Sequence, residues 1–131
     1  MTSAASIGYG SGHMPTDLAR KLQLKEGQSL YVSNLPAGLQ LDVSQAQSVV
    51  SADAVLSFVV MMVDVAKFSA DVVEFARADK LSWLAYPKGG QLGTDLNRDI
   101  LWRELESEGV SPVRQISIDS IWSSMRFRPA K

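Results

Sequence analysis

The feature that most constrains this chain is a change of period and back again. A near-continuous apolar run, Ala54 to Met61, gives way to apolar residues at helical spacing from Asp64 to Arg77, and then to a second apolar run, Leu81 to Tyr86. Runs of that length, rich in Val and Phe, suit strands covered on both faces. Between them Val65, Phe68, Val72, Val73, Phe75 and Ala76 share one side of a 3.6-residue wheel, with Lys67, Asp71 and Glu74 opposite. That pattern predicts one amphipathic helix, about Asp64 to Arg77. Strand, helix, strand calls for a parallel pair joined by a right-handed crossover, so an α/β fold with helices on the faces of one sheet is expected.

The flanking segments extend this unit. Thr16 or Asp17 can cap a short helix, Leu18 to Leu22, and Ser29 to Ser33 alternates as a first strand that ends at Asn34-Leu35-Pro36-Ala37-Gly38. Leu39 to Val50 reads as a short strand and a loop. Pro87-Lys88-Gly89-Gly90 stops the Leu81 strand, and a second helix is expected to start near Thr94 or Asp95 and to end at Gly109. Val113 to Ile118 and Trp122 to Arg128, on either side of Asp119-Ser120-Ile121, read as a closing antiparallel hairpin at the sheet edge. The expectation is a single Rossmann-like sheet, mostly parallel with a C-terminal antiparallel hairpin, in one α/β domain over residues 16–131. Residues 1–15, rich in glycine and serine, are expected to form a flexible arm. Within it Ser11-Gly12-His13-Met14 also has the look of a tag remnant.

Composition then removes whole classes of chemistry. The chain has no cysteine and one histidine, His13. A disulfide framework, a thiolate or histidine zinc site and a cysteine nucleophile are excluded, and a Ser-His-Asp triad would need the arm to fold in. No Asp-x-Asp-x-Asp-Gly loop offers calcium a site, so neither a metal nor a cofactor is implied. Thirteen basic against fourteen acidic residues give a net charge of -1, without the basic field that draws nucleic acid. The longest apolar run, Ala54 to Val63, is about half of what a bilayer requires, and no basic-then-apolar leader opens the chain. No membrane span is expected, and a cytoplasmic location is.

Ligands of open α/β sheets gather beyond the carboxyl ends of the strands. The stretch after the Leu81 strand, Tyr86-Pro87-Lys88-Gly89-Gly90-Gln91-Leu92-Gly93-Thr94-Asp95, joins glycines and a lysine to a helix N-terminus. Such a place has free amides for an anion. The candidate ligand residues are Lys88, Gly89, Gly90, Thr94, Asp95, Asn97 and Arg98, with Trp122, Ser123 and Arg126 from the expected hairpin. A plain alternative stands beside this: proline and glycine end a strand, Thr94 or Asp95 caps a helix, Arg98 pairs with Asp95 or meets solvent, and Trp122 packs on the core. Lys88 precedes the glycines, so this is no P-loop, and the dinucleotide fingerprint is absent too. Trp102 lies away from Leu96 and Ile100 on the second helix's wheel, which suggests an exposed face for self-association or a protein partner.

Leu18-Ala19-Arg20-Lys21-Leu22, Lys25-Glu26-Gly27, Tyr86-Pro87-Lys88-Gly89, Thr94-Asp95-Leu96-Asn97-Arg98-Asp99 and Trp122-Ser123-Ser124-Met125-Arg126-Phe127 together carry a likeness. On them the chain resembles a bacterial family of small uncharacterised proteins, a domain of unknown function, from about Gly8 onward. The resemblance implies a cytoplasmic bacterial protein with a Rossmann-like sheet and lends no reaction. A looser similarity is to the latter half of class I methyltransferases, although Asn34-Leu35-Pro36-Ala37-Gly38 stands where their glycine loop would hold the methyl donor. The first expectation is therefore a nonenzymatic binding or regulatory module for a small anionic ligand or a protein partner. The alternatives are a degenerate methyltransferase-like transferase with Asp95 or Asp119 as a base, and a structural interaction subunit forming homodimers through Trp102 or the edge hairpin.

Overall fold

The computed structural model describes residues Asp17–Ala130. The expected arm, residues 1–15, and the candidate cap Thr16 lie outside the described residues. Five strands form one sheet: β1 (Leu30–Ser33), β2 (Ala54–Phe58), β3 (Leu81–Pro87), β4 (Val110–Ser117) and β5 (Trp122–Pro129), in the order β1-β2-β3-β5-β4. β1 with β2 and β2 with β3 are parallel, whereas β5 runs antiparallel to both β3 and β4. The sheet is thus mixed in equal parts, not mostly parallel. The cause is β5, which turns back after residues 118–121 and inserts between β3 and β4, so that β4 alone lies at the edge.

Four helices accompany the sheet: α1 (Asp17–Lys21), α2 (Met62–Phe68), α3 (Ala70–Arg77) and α4 (Arg98–Glu106). The crossovers from β2 to β3 and from β3 to β4 step across the sheet in the same direction. Right-handed connections then deliver their helices to the same face. There Val65 of α2, Val72 and Phe75 of α3, and Leu101 and Leu105 of α4 pack on Val55, Leu84, Met125 and Phe127. The other face holds Leu30, Leu56, Phe58, Trp83 and Trp122, covered by Leu18 and Ala19 of α1, by Leu22, and by Leu39, Leu41 and Val43. The Trp83 indole nitrogen donates to the Leu22 carbonyl at 3.1 Å, which satisfies its one polar atom inside that layer.

Two sequence expectations change. The helix expected over Asp64 to Arg77 is two helices meeting at Ser69, whose ψ of -5° departs from the helical value near -42°. Hydrogen bonds still bracket the junction, Ser69 N–H to the Val65 carbonyl and Val73 N–H to the Ser69 carbonyl, so both segments keep their apolar sides on one core. Periodicity reports that shared side and is blind to one ψ angle. Leu39 to Val50 forms no strand. Its alternating Leu39, Leu41 and Val43 pack beneath the sheet without a ladder, and the segment touches β1 only through an isolated bridge from Leu30 to Gln45.

Both sheet margins are interrupted. At β1 the Leu30 amide donates to the Ser44 carbonyl and the Ala46 amide to the Leu30 carbonyl, both at 2.9 Å. At β4, Pro112 has no N–H to offer and the register shifts between Pro112 and Arg114. Among the described residues no helix is long and apolar enough to cross a membrane.

Candidate functional site

The loop from β3 to α4 is held by side chains that the sequence suggests as helix caps, but they cap something else. The Thr94 hydroxyl donates to the Val60 carbonyl and accepts from the Leu96 amide, and Asp95 Oδ1 accepts from the Met62 amide at 2.8 Å. Thr94 and Asp95 therefore staple this loop to the start of α2, and α4 begins later, at Arg98. Its cap is Asn97, whose side-chain oxygen accepts from the Ile100 amide at 2.9 Å. At the far end α4 stops at Glu106, and Gly109, with φ of +87°, makes the turn into β4 that only glycine takes without strain.

In front of the Asn97 cap lies a hollow of about 480 Å³. Tyr86, Lys88 and Gly89 line it from the end of β3, and Asn97, Arg98 and Asp99 from the first turn of α4. Gln115 of β4 and Ser123 of β5 close the third side. Strand parity explains the selection. Tyr86 stands opposite Ser123, and Ser123 opposite Ser117, so alternate residues of three strands face the same side as α4.

Of the residues singled out from sequence, Lys88, Gly89, Asn97, Arg98 and Ser123 line this hollow. The others are elsewhere. Gly90, with φ of +77°, leads into the 3-10 turn Gln91–Gly93, while Thr94 and Asp95 hold the start of α2. Trp122 and Arg126 differ in parity from Ser123 and point to the opposite face. Trp122 is 4% exposed and meets the Phe58 ring edge-on, with centroids 5.0 Å apart. Arg126 lies across from Trp83 and bonds to Gln23 Oε1 at 2.7 Å. Its Nε is buried without a partner, and burial together with the Arg128 charge lowers its pKa.

Tyr86, Asp99 and Gln115 line the hollow without being among the candidates from sequence, and Tyr86 is the most informative of the three. It is 4% exposed, and its hydroxyl is buried with no hydrogen-bond partner. An unmet polar group of this kind costs about 1–3 kcal/mol. Burial pushes the phenol above its ordinary 10.0, the Arg98 charge pulls down, and the Asp99 charge pushes up again. At neutral pH it is a protonated donor. The position could have been found by counting parity from Leu84, a core residue two positions earlier on β3.

The charges around it are loosely held. Lys88 Nζ donates to Ser117 Oγ at 2.7 Å, and Ser117 Oγ donates to the Asp119 carbonyl at 3.1 Å. No carboxylate among the described residues pairs with Lys88. Arg98 reaches Asp99 through Nε at 3.4 Å, with both side chains more than half exposed, a pair worth about 1 kcal/mol at most. The amides of Arg98 and Asp99 have no acceptor within the helix, by its geometry. The lining gathers an ammonium, a guanidinium and a helix N-terminus, groups that attract an anion, with the Tyr86 phenol buried in the wall beside them.

Two further sites suggested by sequence are filled by the chain. Asp119 Oδ1 accepts from the Ile121 and Trp122 amides at 2.8 Å each, so it serves a turn, as Asp95 serves α2. After β1, Asn34 donates to the Phe58 carbonyl at 2.9 Å, and the connection to β2 contains no helix whose amides could receive a nucleotide. Trp102, one turn beyond Arg98, is 41% exposed. Among the described residues no cluster of His, Cys, Asp and Glu could hold a metal ion. Compared with family models, with curated proteins and with solved structures, the chain matches none.

Proposed function

We propose that this chain is a nonenzymatic binding module that holds a small anionic ligand in the hollow between β3 and α4. The observation that carries the reading is the Tyr86 hydroxyl, buried and unpartnered on the wall of a hollow that also gathers Lys88, Arg98 and a helix N-terminus. A chain gains nothing for its own stability from an orphaned phenol. An acceptor brought by a ligand would satisfy it. The two aspartates that could have acted as bases are both engaged with backbone amides, which favours binding over catalysis. A Rossmann-like ancestry, a bacterial source and a cytoplasmic setting belong to the same reading, and the parallel β1-β2-β3 half of the sheet and the cysteine-free composition support it.

The test is an amide-resolved titration with sulfate, phosphate and carboxylates. Resonances of Gly89, Arg98 and Asp99 are expected to shift together, and Lys88→Ala with Arg98→Ala to weaken the effect about tenfold or more. Amides that stay still in the presence of every anion would defeat the reading. Exposed Trp102 supports a second role, as a contact for a protein partner or another copy of this chain, because large aromatic side chains dominate such contacts. Sedimentation of the parent and of Trp102→Ala is expected to differ in mass or in concentration dependence, and identical profiles would remove that role.

A further inference from the structure

The hollow contains one negative charge of its own, and its pairing is poor. Asp99 accepts from its sequence neighbour Arg98 at 3.4 Å, whereas a charge-assisted bond normally closes to about 2.7–2.9 Å. Adjacent residues on a helix do not face each other, so this contact has no geometry to improve into. Around it the donors exceed what one carboxylate can satisfy. Lys88 is bonded to a hydroxyl alone, Arg98 engages through Nε, and the Tyr86 phenol engages nothing. Both members of the Arg98–Asp99 pair act electrostatically on that phenol.

We propose that the hollow takes the phosphate group of a phosphomonoester, and that Asp99 substitutes for that group when it is not bound. The proposal rests on the anion-binding reading above and narrows it. A monoester phosphate carries about -1.5 to -2 charges near neutral pH and three acceptor oxygens. It can accept from Lys88 and from the Arg98 fork beside the α4 N-terminus, and it has an oxygen left for the Tyr86 hydroxyl, which a shift of the surrounding side chains uncovers. A monocarboxylate brings the same charge as Asp99 and so has nothing with which to displace it. The volume of about 480 Å³ exceeds a phosphate group and leaves room for an organic portion against Asn97 and Gln115.

Calorimetric titration of the full chain with ribose 5-phosphate, orthophosphate and acetate tests this directly. Ribose 5-phosphate is expected to bind about tenfold or more tightly than acetate, and to gain affinity as pH rises through about 6, where the monoester loses its second proton. Asp99→Asn is expected to tighten ribose 5-phosphate about tenfold, while Glu104→Gln, the same charge change elsewhere on α4, shifts it less than about twofold. Tyr86→Phe is expected to weaken it about tenfold. Equal affinity for acetate, or equal effects of Asp99→Asn and Glu104→Gln, would overturn the proposal and leave a general anion site standing. Orthophosphate binding without ribose 5-phosphate would overturn the monoester assignment. No binding of any probe would overturn both this proposal and the reading beneath it.

Discussion

Two helices begin beyond the carboxyl ends of neighbouring parallel strands, and they are finished in opposite ways. At α2 the Val60 and Met61 amides are taken by Asp64 Oδ2 at 3.0 Å each, and the Met62 amide by Asp95. At α4 the Asn97 side chain takes the Ile100 amide, and the space ahead of it is a hollow bordered by Lys88 and Arg98. The peptide geometry that creates free amides is the same at both. Which carboxylates arrive, and what they bond to, decides the outcome: two at α2 are fixed on its amides, whereas Asp99 at α4 meets only its neighbour Arg98 at 3.4 Å and so can give way.

The contrast can be broken most forcefully at Asp64. Asp64→Ala removes two charge-assisted bonds from one helix start and is expected to cost about 2 kcal/mol, seen as a lower urea midpoint. A loss no greater than that of a single neutral cap would erase the distinction between the two ends. Asp95→Ala frees one amide, that of Met62, and is expected to cost about 1 kcal/mol. A urea midpoint intermediate between the parent and Asp64→Ala checks it. Asn97→Ala, the corresponding change at α4, is expected to cost about 1 kcal/mol or less.

Smaller effects sharpen the comparison. Tyr86→Phe is expected to leave the unfolding midpoint unchanged or slightly higher, since it deletes a buried hydroxyl with no partner. A marked destabilisation would mean that the phenol serves the fold. The smallest effect concerns a surface pair remote from the site, Asp79 with Arg128, bonded at 2.8 and 3.0 Å. The Arg128 guanidinium holds the Asp79 carboxyl below its ordinary 3.8. A depressed carboxyl pKa contributes stability that is present above the ordinary value and is lost as pH falls through the lowered one. The slight advantage of the parent over Asp79→Asn is therefore expected near neutrality and should vanish in acid, as urea midpoints across pH would show.

Much of the fold is legible in the residues because burial imposes period. Val55, Leu56 and Phe58, or Trp83, Leu84 and Ala85, have to be strand residues covered on both sides. The stripe through Val72, Val73 and Ala76 has to be helical. The site was legible only in part. Lys88, Gly89, Asn97 and Arg98 follow from their places in the chain, since a loop and the helix after it stay together. Asp95 reads as a local cap because its true partner, the Met62 amide, is 33 residues away, and no local rule reports that. Trp122 and Arg126 were grouped with Ser123 by adjacency, although adjacent strand residues face opposite ways. Tyr86 was passed over because an aromatic residue at a strand end looks like core until its hydroxyl is followed.

The interrupted margins of the sheet bear on how this molecule behaves among its own copies. A bare outer strand is a template for another chain, and repeated pairing of that kind ends in fibres or precipitate. Here the Ser44 carbonyl accepts from the Leu30 amide and the Ala46 amide donates to the Leu30 carbonyl at one margin, and Pro112 with its register shift spoils the other. Growth by strand addition is hindered at both margins, by the Leu30 bridge on one side and by Pro112 on the other. Contacts between copies are then expected to draw more on side-chain surfaces such as the one around Trp102 than on an extended ladder.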